Sequence, residues 1–422
     1  MVTFLKSKLS LLRAELSTYS PRERGFILFA MLCGFFITCE YSLIRPVSNS
    51  LFLHAFSVKF IPYAWIATVP VSFLMVSLYN RLIPKWGSKK LFVTLIGLVM
   101  VVNLFFALFA KTIHSLPFFF YVWKEVYVML MFQLLWSVIH SNVQLKKARY
   151  LYGLFFGIGG LGSMLGSSVP SFFAVSYGSE SLIFLSLPVY LLLLTCYLKM
   201  SQHSLVDAPT KTDNSAGGFR HGLKLIQGSR FLTFILLIVL FMQVLSAIVD
   251  FQFNDFLERT LPDTDIRTEF SARVMGVIHT LTVLLQFIGS YAMIRYVGFK
   301  RSHYVIPSVL TLSACLFAAI PIFPVIIFGF VTIKALDFSL FGVIREMLYI
   351  PLKSDEKFRA KSIIDVFAHR SAKALASIMI LVVQVSILDT SRVLTYLGIS
   401  IALLWIGSVA YGMKEYDQVV KG

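Results

Sequence analysis

Twelve runs of apolar residues, each close to the length that crosses a bilayer, constrain this chain more than any other feature. A helix needs roughly 20 apolar residues to span the hydrocarbon layer. Runs near that length lie at about 26–54, 60–83, 91–110, 117–140, 151–174 and 182–199, and again at about 231–257, 272–294, 303–321, 323–350, 360–386 and 392–413. The polar stretch between the two sets, 200–230, carries Asp207, Pro209, Lys211, Asp213, Gly217 and Gly218 and reads as a flexible linker. The predicted fold is an all-α polytopic membrane protein of about 12 transmembrane helices in two six-helix halves. Composition agrees: 57% of the residues are hydrophobic and 14% are charged, against about 25% charged in soluble domains. That excludes a secreted disulfide scaffold, a disordered chain and a nucleic-acid-binding domain, despite a net charge of +17.

Charge placement tests the span count independently, because Lys and Arg collect in cytoplasmic loops. With both termini and the linker on one side, that side holds 26 of the 38 Lys and Arg. The opposite loops hold six (Lys59, Lys111, Arg259, Arg267, Arg273 and Arg392), and six lie inside spans. The expected protein is therefore integral to a membrane with both termini cytoplasmic, and the basic excess is topology. Residues 1–25 form an amphipathic cytoplasmic segment (Leu5, Leu9, Leu12, Leu16), 26–199 the first half, 200–230 the linker, 231–413 the second half and 414–422 a tail. The first apolar run is too long for a cleaved signal peptide and lacks a small-residue cleavage site. Cys33, Cys39, Cys196 and Cys315 have neither metal nor disulfide spacing and read as small core residues.

An internal repeat links the halves. The turn after the second span reads Lys85-Trp-Gly-Ser-Lys-Lys90, and the turn after the eighth reads Tyr296-Val-Gly-Phe-Lys-Arg301. Gly87 and Gly298 are 211 residues apart, and Lys124 and Lys334, in the fourth and tenth spans, are 210 apart. A glycine turn with basic residues at these two places resembles the signature loop of the major facilitator superfamily. Two parallel six-helix repeats are that superfamily's architecture, with substrate bound near the midplane.

An ionisable side chain at the bilayer centre costs about 2.5–3.5 kcal/mol on insertion scales, so those inside the spans need a partner or a wet cavity. They are Glu40, Arg45, Lys124, Glu125, Asp250, Asp255, Lys334, Asp337, Arg345, Glu346, Asp365, Arg370 and Lys373. Lys334 and Asp337, at i,i+3, are placed to pair locally. Lys124–Glu125 and Arg345–Glu346 are adjacent and about 100° apart around a helix, so neither pair is expected to satisfy itself. Asp337, Arg345, Glu346 and Asp365 read as gating or structural ion pairs, and Arg45, Lys124, Asp250 and Lys373 as cavity residues. Gly153, Gly157, Gly160, Gly162 and Gly166 give small-xxx-small spacing for close helix packing in the fifth span. Pro46, Pro70, Pro170, Pro188 and Pro351 kink helices or mark their ends. His54, His140, His279 and His369 lack ligand spacing, and no P-loop, nucleophile elbow or H-E-x-x-H occurs, so no metal, cofactor or enzyme activity is expected.

The tenth span and its loop read Arg345-Glu-Met-Leu-Tyr-Ile-Pro-Leu352, then Asp355-Glu-Lys-Phe-Arg-Ala-Lys361, Ile364-Asp-Val366, Arg370 and Lys373. This stretch resembles the nucleotide transporter family, the ATP/ADP translocases of plastids and obligate intracellular bacteria, which carries R-E-x-L-Y-x-P-L, E-E-K-Y-K-A-K and I-D-V there. Ile44-Arg45, Ile61-Pro62 and Pro70 fit its first two helices. The resemblance places Asp250 where the family has a functional Glu in helix 7 and Glu125 near the family's helix-4 Glu. It implies transport of a nucleotide or related anionic phosphorylated metabolite by alternating access, through exchange or with a proton. Arg45, Lys124, Lys334, Arg370 and Lys373 would supply positive charge, and Asp250 and Glu125 counter-charges. Two departures stand out. The family's helix-1 Lys-Asp is Ser48-Asn49 here, and its helix-7 Lys is Asn254. Both remove cations, so a ligand less charged than ATP is expected. The expected partners are that small anion and membrane lipid, with a monomer and no nucleic acid. A carrier of a non-phosphorylated organic anion, a transport-inactive scaffold or receptor on the same fold, and a membrane enzyme are the alternatives.

Overall fold

Hydrocarbon offers no hydrogen-bond partner, so a chain this apolar closes its backbone bonds within each segment. The computed structural model describes residues 19–142, 145–204, 223–289, 292–352, 363–364, 369–386 and 389–421, and these are helical apart from short turns. Among them, nine helices are long and apolar enough to cross a membrane. The elements are α1 (Pro21–Phe56), α2 (Ile61–Phe109), α3 (Leu116–Asn142), α4 (Leu145–Tyr177), α5 (Ser186–His203), α6 (Arg230–Thr260), α7 (Thr264–Leu284), α8 (Phe299–Ala319), α9 (Phe323–Leu336), α10 (Gly342–Leu348), α11 (His369–Ser386) and α12 (Thr390–Lys421). A short 3-10 turn, Val58–Phe60, joins α1 to α2. π turns occupy Leu285–Gly289, Met293–Val297 and Asp337–Phe341. The last of these joins α9 to α10 without a loop. The expected amphipathic segment at 1–25 falls outside the described residues up to 18, and most of the 200–230 linker does too.

One difference from the sequence expectation concerns a helix end. The expected break between 83 and 91 is a single residue: α2 runs helical on both sides of Gly87, which has φ 71° and ψ 166°. Gly298, its repeat partner, has φ 88° and ψ 152° before α8. Only glycine takes that region freely, and other residues there cost about 1–3 kcal/mol. A Cβ on either glycine would meet no atom within 4 Å, so the requirement is conformational. Gly87→Ala and Gly298→Ala should each lower detergent stability by that amount. Gly97→Ala, equally open but within the helix, should not, and equal melting temperatures for all three would refute the argument.

The chain divides into two compact units. The first comprises Met1–Leu51, Val71–Thr212 and Thr268–Gly276, and the second comprises Phe52–Pro70, Asp213–Arg267 and Val277–Gly422. In the first, α4 lies directly against α1. A Cβ on Gly162 would collide with the Phe35 carbonyl oxygen, and one on Gly166 with that of Cys39, so no side chain fits at either position. The Thr38 hydroxyl donates to the Gly159 carbonyl at 2.7 Å across the same seam. Its apolar core is built from Leu43, Ile44, Val47, Phe106, Phe120 and Ile183. Phe92 and Tyr197 stack at 3.9 Å.

In the second unit, α6 packs against α9, α11 and α12, around Phe234, Met242, Phe341, Leu348, Tyr349 and Trp405. The π turn at Leu285–Gly289 packs on the one at Asp337–Phe341, with Gly289 against Leu285 and Leu340. Of the four cysteines, Cys33 and Cys39 are buried as expected. Cys196 is half-buried and Cys315 exposed on α8, because the outer face of a membrane helix meets lipid and tolerates a thiol as readily as a core does.

Candidate substrate-binding site

Two of the lysines inside the helices meet a carboxylate, one in each unit. In the first unit, Lys124 of α3 is 1% exposed. Its Nζ lies 3.9 Å from the centre of the Tyr121 ring, one turn earlier, a cation–π geometry favoured away from water. Glu125 comes within 3.9 Å of the same Nζ and accepts a hydrogen bond from the Tyr41 hydroxyl of α1 at 3.2 Å. Arg45 follows Tyr41 by one turn on the same face of α1 and is half-buried. Ser48 is wholly buried, and its hydroxyl turns back to the Arg45 carbonyl at 3.3 Å.

In the second unit, Lys334 of α9 reaches Asp250 Oδ2 of α6 at 3.1 Å and the Ser246 hydroxyl at 2.9 Å. Both side chains are largely buried, at 9% and 14% exposure. The Phe330 ring lies 5.6 Å from the Lys334 nitrogen. Asn254 folds back on its own helix, donating to the Asp250 carbonyl at 2.7 Å and to its carboxylate at 3.4 Å. Lys373 of α11 sits 5.0 Å over the Trp65 ring, and Trp65 is buried near the start of α2. The two repeat-related lysines, 124 and 334, thus share an environment: burial, an aromatic ring one turn back and a carboxylate within reach.

Two expectations need correction. Lys334 and Asp337 do not pair. The lysine crosses to α6, and Asp337, which opens the π turn, accepts instead from Gln243 Nε2 at 3.1 and 3.2 Å. The wider π turn breaks the i,i+3 register on which a local pair depends. The adjacent residues Lys124–Glu125 and Arg345–Glu346 do approach each other, at 3.9 and 3.7 Å, because long stems swing around the helix. Those distances lie beyond a hydrogen bond. Arg345 also faces the Phe341 ring at 5.9 Å. Asp365 and the side chain of Arg370 lie outside the described residues. Sequence reasoning missed Tyr41, Tyr121, Ser246, Gln243 and Trp65. The first three stand one turn from an anticipated charge, and that spacing was a usable signal; Gln243 and Trp65 offered none.

A separate set of contacts fastens the corner between α1 and α2 to the end of α6. Ser57 holds φ 64° and ψ 159°, the glycine-like region, and is the one non-glycine residue with positive φ among those described. Glu258 accepts from the Ser57 hydroxyl at 3.2 Å and from the Val58 amide at 2.9 Å. Nearby, Asp263 caps α7 by accepting from the amides of Asp265 and Ile266. Buried Arg267 donates to the carbonyls of Leu261 and Pro262; desolvation draws its guanidinium below the usual pKa, opposed by Glu258 and Asp263. Glu258→Ala removes an acceptor shared by two donors and should cost about 1.5–3 kcal/mol. Ser57→Gly in that background should recover part of the loss, since glycine takes this conformation without strain. A double variant no more stable than Glu258→Ala would show that Ser57 is unstrained.

Among the described residues no cluster of three or more His, Cys, Asp or Glu could hold a metal ion. Buried lysines balanced by single carboxylates are suited instead to exchanging one anionic partner for another. The nucleoside transporter NupG matches 93% of this chain and 99% of its own length, with a TM-score of 0.65 at 12% identity. The POT family transporter PepTSo matches 95% and 99%, with a TM-score of 0.63 at 11% identity. At such identities the likeness is one of fold. The fold is the helical architecture of major-facilitator-type transporters, and the nine long apolar helices among the described residues make it an integral, multi-pass membrane protein. The model of the TLC ATP/ADP transporter family matches residues 117–416, and the chain belongs to that family of membrane transporters. ADP,ATP carrier protein 3 of Rickettsia bellii (strain RML369-C) is 22% identical over 501 residues, covering 97% of this chain and 96% of the relative. ADP,ATP carrier protein 1 of Chlamydia pneumoniae is 22% identical over 481 residues, covering 94% and 92%.

Proposed function

We propose that this protein carries a nucleotide or closely related phosphorylated metabolite across a bacterial inner membrane by alternating access, exchanging one anion for another. Membership of a family of ATP/ADP transporters supports the substrate class. The observation that carries the reading is the buried Lys334–Asp250 pair. In the empty carrier Asp250 neutralises Lys334. An entering phosphate competes for the lysine, and the carboxylate recovers it when the anion leaves. Lys124, held by Glu125 and the Tyr121 ring, plays the equivalent part in the repeat. Arg45, Arg370 and Lys373 complete the positive charge, with Arg suited to bidentate phosphate contact. Asn254 contributes polarity without charge, while Asp337, Arg345, Glu346 and Asp365 serve as structural or gating charges. The asymmetry of Lys and Arg across the loops supports cytoplasmic termini. The working protein is a monomer, six helices in each half, that needs lipid but no nucleic acid.

The test is uptake of labelled nucleotides into proteoliposomes preloaded with unlabelled nucleotide. Exchange dependent on the internal nucleotide is expected, as is its loss in Arg45→Ala and Lys373→Ala at unchanged expression and melting temperature. Failure of every nucleotide tested would pass the site to a non-phosphorylated anion, and unaltered transport in either alanine variant would remove that residue from it.

A further inference from the structure

We propose that Glu40 is a proton-binding site, distinct from the substrate clusters, whose proton moves with the transported anion. The coupling rests on the transport reading above; the site itself does not. Glu40 lies in the interior of α1 and is 1% exposed. Its Oε1 accepts a hydrogen bond from the Tyr127 hydroxyl of α3 at 2.8 Å and from Asn103 Nδ2 of α2 at 3.4 Å. The same amide reaches the Ser186 hydroxyl at the start of α5 at 3.4 Å. Tyr190, one turn further along α5 and fully buried, turns its hydroxyl toward the carboxyl. The titratable groups around Glu40 are therefore Tyr127 from α3 and Tyr190 from α5, with Cys39 beside it on α1. From α2 comes the neutral Asn103 alone, and no cation stands among its neighbours in the described residues.

Three polar atoms of this cluster are buried without a hydrogen-bond partner: Glu40 Oε2, Asn103 Oδ1 and the Tyr190 oxygen. An isolated carboxylate in such surroundings is so costly that the group takes up a proton instead. One hydrogen on Oε2 removes the charge and turns an orphaned acceptor into a donor. A post that only made hydrogen bonds would be served by glutamine, which spares the membrane an ionisable side chain. A carboxyl that is neutral when sealed and charged when wetted does more. The proton arrives from water on the side where substrate loads and leaves to water on the other. The empty carrier then returns only after that release, whereas a carrier exchanging one anion for another returns loaded and need not release it.

This separates two activities. Glu40→Gln mimics the protonated acid, so it should keep nucleotide exchange at the unmodified rate. It should lose net uptake into vesicles that contain no nucleotide, together with the acidification of a pyranine-loaded lumen that accompanies net uptake in the unmodified protein. An inwardly directed proton gradient should raise net uptake severalfold in the unmodified chain and leave Glu40→Gln unmoved. Tyr127→Phe keeps the ring and removes the donor, and should shift the pH of half-maximal net uptake. Infrared difference spectra between acid and alkaline buffer test the site without any substrate. A protonated-carboxyl band present in the full-length protein should vanish in Glu40→Gln and move in Tyr127→Phe. Absence of a Glu40-dependent band overturns the site, and net uptake that carries no proton and ignores the gradient overturns the coupling. If nucleotides are not transported while the band is present, the nucleotide reading falls and the proton site stands.

Discussion

Lys334→Met should abolish nucleotide exchange and lower the melting temperature in detergent, and Asp250→Asn added to it should restore stability without restoring transport. The lysine and Asp250 meet at 3.1 Å with little exposure on either side. Breaking a buried pair from one side leaves a lone charge, at a cost of about 3–5 kcal/mol. Removing both charges leaves no lone ion in the interior, and double neutralisation of this kind is often close to neutral. Transport does not recover, because the amide and thioether left at the two positions carry no positive charge to hold an anion. Two results would refute this. A double variant as unstable as the single one would mean that the two charges are not energetically coupled. Exchange that survives Lys334→Met would place the pair outside the substrate path.

ATP should be a poorer ligand than a nucleoside monophosphate or another less charged nucleotide, by at least roughly tenfold, or about 1.4 kcal/mol. Each phosphate charge taken from water must be matched by the protein or left desolvated. Asn254 stands where the resemblance to the nucleotide transporter family implies a Lys, and it is occupied with the Asp250 carbonyl at 2.7 Å. Ser48, the second such position, is wholly buried, so a lysine there would disturb packing as well as add charge. Asn254→Lys is therefore the cleaner variant. It places a cation one turn from Asp250, where an i,i+4 pair forms readily, and frees Lys334 for a further phosphate oxygen. Calorimetric titration should show the preference moving toward ATP in Asn254→Lys, less so at high salt if the site is wet. Tight ATP binding by the unmodified chain would defeat the argument.

The membrane segments and the Gly87/Gly298 repeat were legible because both reduce to local chemistry. Hydropathy, however, reports where lipid begins rather than where helices stop. The basic residues around Gly87 read as a loop, yet the break is Gly87 alone, with helix on either side of it, since a helix that leaves the bilayer keeps its own hydrogen bonds and welcomes Lys and Arg in water. α12 likewise runs on to Lys421, past the last apolar run. Charged partners were the least legible. Lys334 had an acid at the right helical spacing, and only the packing of α9 against α6 and the π turn at Asp337 send it to Asp250. Glu40 was visible as an oddity in the sequence, but its ring of polar partners comes from three other helices.

The π turn between α9 and α10 has a mechanical consequence. Such a turn holds a residue more than ordinary helix needs, a reserve of chain length wound into an otherwise continuous rod. Taking it up, or passing it one place along, rotates everything beyond by about 100° while the axis stays nearly still. Arg345 and Glu346 lie just beyond it, and Gly289 of the π turn packed against it leaves room for Leu340 to turn. The second unit can thus re-aim its charges by twisting one helix like a key, where the first, with α1 locked backbone to backbone against α4, must carry its own as a block.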